Sequence, residues 1–309
     1  MHIRKGALIL KSLALIEVTS SLMVPIKRRQ LRTTFQRTFT TQRLASSPLG
    51  GDFAGLDATF DPIDGSFIPI PVHLMDASLL EWGQEPKCLE TLVSEDLMDD
   101  MKMERTSIVV LPATGCGVDN LETMKKSETL DMNEKDVNGD VIGVQYESSS
   151  GDHDNKSYRL ESIFGMDEGY RMRVVLDLIS CKEKLFTVKS PVHLHYERRT
   201  SDESTGGTRA DGGGLDGRTV SGLLGPELSK QKSFAEDTPR EQSYIEDGVH
   251  HLGLPGNVTI SYSSMTPNSW TCDICHELDD KIRGVTTAAL QFGGGDADFM
   301  VEAWEGAQD

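Results

Sequence analysis

Cysteine is scarce in this chain of 309 residues: Cys88, Cys116, Cys181, Cys272 and Cys275 are few and odd in number. That excludes the disulfide framework of a small secreted domain. No uninterrupted hydrophobic run exists either, because the apolar stretch Ala7 to Ile26 is broken by Lys11, Glu17 and Thr19-Ser20-Ser21, which argues against a membrane-spanning helix. Acids are almost missing from residues 1–47, where Glu17 stands against nine Lys or Arg, so that segment carries +8. With a total of −18, residues 48–309 carry −26. A body that acidic is repelled by a phosphate backbone, and nucleic acid is excluded as a partner. A catalytic constellation is also absent: neither Ser78 nor Ser221 is framed as a nucleophile elbow, and no βαβ rhythm or internal repeat is visible.

The basic segment ends in Lys27-Arg28-Arg29 and an acid-free tract rich in Arg, Thr and Ser, the composition of an organelle transit peptide. Residues 1–47 are therefore set apart from the fold. The alternative is a basic tail with no address, and composition does not separate plastid from mitochondrial targeting. The sequons at Asn155 and Asn257 matter only in a secreted protein, and both are read as chance.

What is present is two-residue alternation. Tyr170, Met172, Val174, Leu176 and Leu178 fall on one face and Arg171, Arg173 and Asp177 on the other, the pattern of a strand with one buried face. Similar runs fill Tyr158 to Glu197 and Asn257 to Trp304. Asp52 to Phe60 reads as a first strand, Asp61-Pro62-Ile63-Asp64-Gly65 as a turn, and Ser66 to Ile70 as the return of an opening hairpin. Asp76 is placed to cap a short helix that Gly83 ends. Cys88 to Val93 and Thr106 to Leu111 are further strand-like runs, whereas Asp119 to Ser150 is polar and reads as irregular turns with one or two weaker strands. The insert Thr200 to Gly253 has loop composition, with a helix from about Arg218 to Phe234 bent or restarted at Pro226. The fold class is mainly β: an antiparallel meander of about ten strands closing into a barrel, less readily a sandwich, as one domain over 48–309.

Several motifs invite chemistry. Cys272-Asp273-Ile274-Cys275-His276 matches the haem-attachment string, but in a strand residues three apart face opposite ways, so the two thiols do not meet one haem edge. Zinc has no second cysteine pair to use. The Gly212 to Gly217 string matches a dinucleotide fingerprint without the buried strand it requires, and reads as a flexible loop. Asp131 to Asp136 begins like a calcium loop, but Lys135 takes a ligand position and Asp136 stands where glycine is needed. His193, His195 and Glu197 share one face of a strand, a spacing that presents two imidazoles to one metal; the bland alternative is a solvated polar face, which is the reading adopted. Arg171 and Arg173 are candidate ligand contacts if their face lines a barrel lumen, where paired guanidiniums bind ligand carboxylates, and surface charges if it faces water. Trp82 is a further candidate contact. No catalytic residue, metal or cofactor is assigned.

Phe53-Ala54-Gly55-Leu56-Asp57-Ala58-Thr59-Phe60 followed by Gly65 and Leu79-Leu80-Glu81-Trp82-Gly83, with the late Leu254-Pro255-Gly256-Asn257-Val258-Thr259 entering a strand, resembles an uncharacterised lipocalin-like family of photosynthetic organisms. That family is distantly similar in fold to bilin lyases. The resemblance implies a plastid address and a calycin-type barrel holding a small hydrophobic or tetrapyrrole ligand, and together with the strand alternation it leads to the expectation of a non-catalytic binder. A chromophore lyase-like enzyme and an assembly factor docking a protein partner through the 200–253 insert are the alternatives.

Overall fold

The opening hairpin forms as the turn chemistry dictates. β1 (Gly51–Phe60) is followed by β2 (Phe67–Ile68), and the Asp61 and Asp64 carboxylates accept from the backbone N–H groups of Ile63 and Ser66 at 2.7 and 2.8 Å. In this computed structural model the description covers residues 48–99, 101–113, 121–148, 157–166, 169–180, 186–188, 191–200, 217–236, 243–266, 269–277, 282–293 and 296–307. The transit-peptide segment and Gly212 to Asp216 of the glycine string lie outside the described residues. The capped helix is α1 (Ala77–Glu81), with the Asp76 carboxylate accepting from the Ser78 N–H and Gly83 in the left-handed region.

Further along come β3 (Leu89–Asp99), β4 (Lys102–Val110), β5 (Thr123–Asn138), β6 (Val141–Ser148), β7 (Ser157–Gly165), β8 (Tyr170–Ser180), β9 (Phe186–Val188) and β10 (Val192–Arg199). Pairing runs β1–β3–β4–β5–β6–β7–β8, and β10 then bonds to β8 on one side and β1 on the other. Eight antiparallel strands therefore form a ring in which each is bonded to two others, and β2 and β9 are appended to it. α2 (Gly217–Lys230) follows, broken at Gly225 in front of Pro226 where the sequence places the bend. A second, open meander completes the fold: β11 (Tyr244–Glu246), β12 (Val249–Leu254), β13 (Val258–Thr266), β14 (Ser269–Glu277), β15 (Ile282–Gly293) and β16 (Asp296–Ala307).

The main hydrophobic core lies outside the ring. Ala54, Leu56, Phe60, Leu160, Phe164, Met172, Val174, Leu176 and Leu194 on the ring's outer face pack with Val220, Leu224 and Leu228 of α2 and with Ile260, Trp270, Ile274 and Val301 of the second sheet. An apolar outer wall must be covered by another layer, and the second sheet is that layer. Contact is close: a Cβ on Gly143 would clash with a Val301 methyl, and one on Gly284 would lie 2.8 Å from Val141. Glycine at both positions is what lets the layers meet.

Two expectations need correction. The described residues hold sixteen strands in two sheets, not about ten in one closed meander. β5 and β6 are the one or two weaker strands expected between Asp119 and Ser150, but β11 and the start of β12 come from the insert, which reads as loop. β5 has little apolar signal, because Lys125, Lys126, Ser127, Thr129 and Asp131 are exposed; it is a strand because β4 pairs with Thr123–Asp131 and β6 with Met132–Asn138.

Candidate functional site

The alternation that places Met172 and Val174 outside places Arg171 and Arg173 inside the ring. Neither is a surface charge: Arg171 is 1% and Arg173 4% exposed. They join Glu95 from β3, Arg105 from β4, Glu161 from β7 and Glu197 from β10, all buried and all on the inner face. Two contacts follow the ladder, since Glu95 is opposite Arg105 and Glu197 opposite Arg171. Others cross the lumen between strands that are not neighbours. Arg105 grips Glu161 with two bonds of 2.7 and 2.8 Å, and Arg171 grips Glu95 with two of 2.9 Å.

Three guanidiniums and three carboxylates make a network of zero formal charge. Arg171 also donates to Glu197 at 2.6 Å and to the Pro48 carbonyl at 2.6 Å, with its guanidinium 3.4 Å from the centre of the Phe53 ring. Arg173 donates to Glu197 at 2.8 Å. Burial alone would push Glu161 up, but Arg105 outweighs it and holds the carboxyl down at about 2. Burial likewise opposes ionisation of Glu197, and Arg171 with Arg173 keeps it well below the usual carboxylate range. At one side of this network Leu49, Met103, Leu130, Met132, Ile142, Val144, Tyr146 and Ile163 form an apolar plug. The core of the ring is thus packed with protein groups.

Farther along β10 the inner face changes character. His195 and His193 follow Glu197 at two-residue steps, and Asp57 of β1 lies opposite His195. The Asp57 Oδ1 is 3.4 Å from His193 Nδ1 and 3.6 Å from His195 Nδ1, and the two imidazoles stack with centroids 6.1 Å apart. His193 is the most open of the three, with 37% of its side chain exposed. Burial pushes His195 down to about 4, reinforced by Arg173, so its ring is neutral at pH 7. Burial acts to raise Asp57, yet its neighbours His195, His193 and Arg173 hold it below its ordinary value. Half-buried Arg159, bonded to Asp177 at 2.9 Å and 3.6 Å from Glu128, shares this inner face. This end is the polar, partly open part of the lumen.

Of the residues singled out in the sequence, Arg171 and Arg173 come together, and their bonds go to Glu95, Glu161, Glu197 and Pro48. Trp82 is not among their partners; it caps α1 and is 66% exposed. The face carrying His193, His195 and Glu197 points into the ring, not out to solvent as read. Cys272 and His276 face the main core with Ile274, and the His276 ring packs at a tilt of 34° against Phe164, with centroids 5.4 Å apart. Sequence reading missed Asp57, Glu95 and Arg105 altogether. Their signal was a charged residue on each strand's second face, which looks the same whether that face meets water or a ring interior.

No protein-family model matches the chain, and no curated protein matches it, so the lipocalin-like resemblance has no family match beside it. Among solved structures, a cyanobacterial protein of unknown function from Nostoc punctiforme, of the DUF3598 family, aligns with a TM-score of 0.40 and 10% identity, over 84% of this chain and 97% of that one.

Proposed function

We propose that the ring is a lipocalin-like barrel and that the protein is a non-catalytic binder, taking a small ligand at the end that carries Asp57, His193 and His195. The observation that supports this most is the division of the lumen. One part is filled by the ion network and the apolar plug, which make a rigid, fully satisfied floor. The other retains partly exposed polar groups aimed inward, with neutral imidazole at its base. Ligand sites combine a fixed wall with a few convergent polar groups, and an eight-strand barrel has room for one small ligand.

In this reading Arg171 and Arg173 act as floor, their charges spent on Glu95, Glu161 and Glu197, and ligand contacts fall to His193, His195 and Arg159. Such a lining suits a molecule that offers nitrogen or carboxylate groups, so a tetrapyrrole edge fits better than a plain lipid tail. A plastid address belongs to the same proposal. α2 buries its apolar face on β1 and β10, so that face is not what would dock a protein partner.

The test is native mass spectrometry and visible absorbance of the full chain after incubation with a plastid pigment and lipid extract. A bound mass or visible band that weakens in His193→Ala and persists in Trp82→Ala supports the site. A clean apo spectrum overturns the ligand reading.

A further inference from the structure

We propose that Asp57, His193 and His195 form a binding site for one divalent transition-metal ion of the zinc class, with a coordination position left open toward the end of the ring. Among the described residues they form a set of metal-ligating side chains in which one donor atom of each lies within 4.8 Å of the others. The inference goes beyond the binding role above and does not depend on it, since a metal can sit here whether or not an organic ligand does.

The distances favour an ion over a simple hydrogen-bonded triad. Charge-assisted N–H···O contacts close to about 2.7–2.9 Å. Here His193 Nδ1 makes only a long hydrogen bond of 3.4 Å to the Asp57 oxygen, and His195 Nδ1 stops at 3.6 Å from it. A zinc ion bound at about 2.0–2.1 Å separates tetrahedral donors by roughly 3.3 Å, close to the two Asp57–imidazole separations. His195 Nδ1 is buried and has no hydrogen-bond partner, so a ring nitrogen beside Asp57 is left unsatisfied.

The backbone fixes this geometry. His193 and His195 are same-face neighbours on one strand, about 6.7 Å apart along it, and their rings stack nearly parallel at 12°. Asp57 comes from the adjacent strand in register with His195. Two imidazoles and one carboxylate suit zinc, iron or cobalt over calcium or magnesium, which prefer oxygen. The nearest cation, Arg173, has its charge answered by Glu197 and Glu161. One carboxylate against a dication leaves a local charge of +1, which an anionic group entering from the open end would complete.

The experiment uses the full chain without an affinity tag, stripped by chelator, titrated with zinc by calorimetry and with cobalt(II) by visible absorption. The expected result is one zinc per chain and a cobalt band that zinc displaces. His193→Gln, on the most exposed ligand, should keep the fold and weaken zinc binding by about 100-fold, and Asp57→Asn should do the same, since even residues behind a metal ligand are worth about 10- to 100-fold. Absence of one-to-one uptake, or uptake unchanged in His193→Gln, overturns the proposal. Because no organic ligand is present, an empty pigment spectrum and a failed metal titration are separate outcomes.

Discussion

Replacing Arg171 with methionine removes the hub of the buried network while keeping an apolar stem against Phe53. Glu197 is left with Arg173, Glu95 with Arg105, and the Pro48 carbonyl loses its donor. The ring interior then carries one uncompensated negative charge. Breaking a buried pair from one side costs about 3–5 kcal/mol, because the remaining ion keeps its desolvation penalty without its partner. Native domains hold about 5–15 kcal/mol in total, so this is a large share. At a urea slope of about 3 kcal/mol per molar, the unfolding midpoint should fall by roughly 1 M or more. Arg171→Lys should not restore it, because an ammonium cannot make the paired bonds to Glu95 while also reaching Glu197 and Pro48. Combining Arg171→Met with Glu197→Gln returns the network to zero formal charge, so the double variant should lose less than the two singles added, by about 1–3 kcal/mol. A single variant within about 1 kcal/mol of the parent, or strict additivity in the double, would refute the account of the lumen as an electrostatically closed network.

Two further tests probe the layer outside the ring. Gly143→Ala drives a Cβ against Val301 and should lower stability by about 1–3 kcal/mol, with Val301→Ala giving back part of that loss in the double variant; a thermal melt reads both. His276 is buried against Phe164 and pushed down to about 4 from 6.5, so the unfolded chain takes up its proton first. Stability should therefore fall as pH drops from 6.5 to 4, by on the order of 3 kcal/mol for this group. Urea midpoints across that window should be flatter in His276→Gln, and an identical slope in both proteins would count against the assignment.

The local elements were legible wherever side chains and backbone agree. Asp76 and Gly83 bracket α1, Pro226 marks the break in α2, and Tyr170 to Leu178 alternates as a strand must. Antiparallel β architecture follows from such patterns, because a period of two needs only one residue's neighbours to be read. β5 is legible only as one of the weaker strands expected between Asp119 and Ser150, because what holds it is a backbone ladder with β4 and then β6 rather than an apolar stripe. Tertiary structure alone decided which face of each strand is inside. Met172 and Arg171 occupy alternate faces in any reading, but only closure of β10 onto both β1 and β8 turns the charged face into the inside of a ring. Apolar residues then face outward, because a second sheet covers them. The same closure sets Arg171 against Glu95, 76 residues apart, and Asp57 against His193 and His195, 136 and 138 positions away. Sequence determines the alternation, which is local; which groups meet across the ring depends on strand order and register, which no single strand contains.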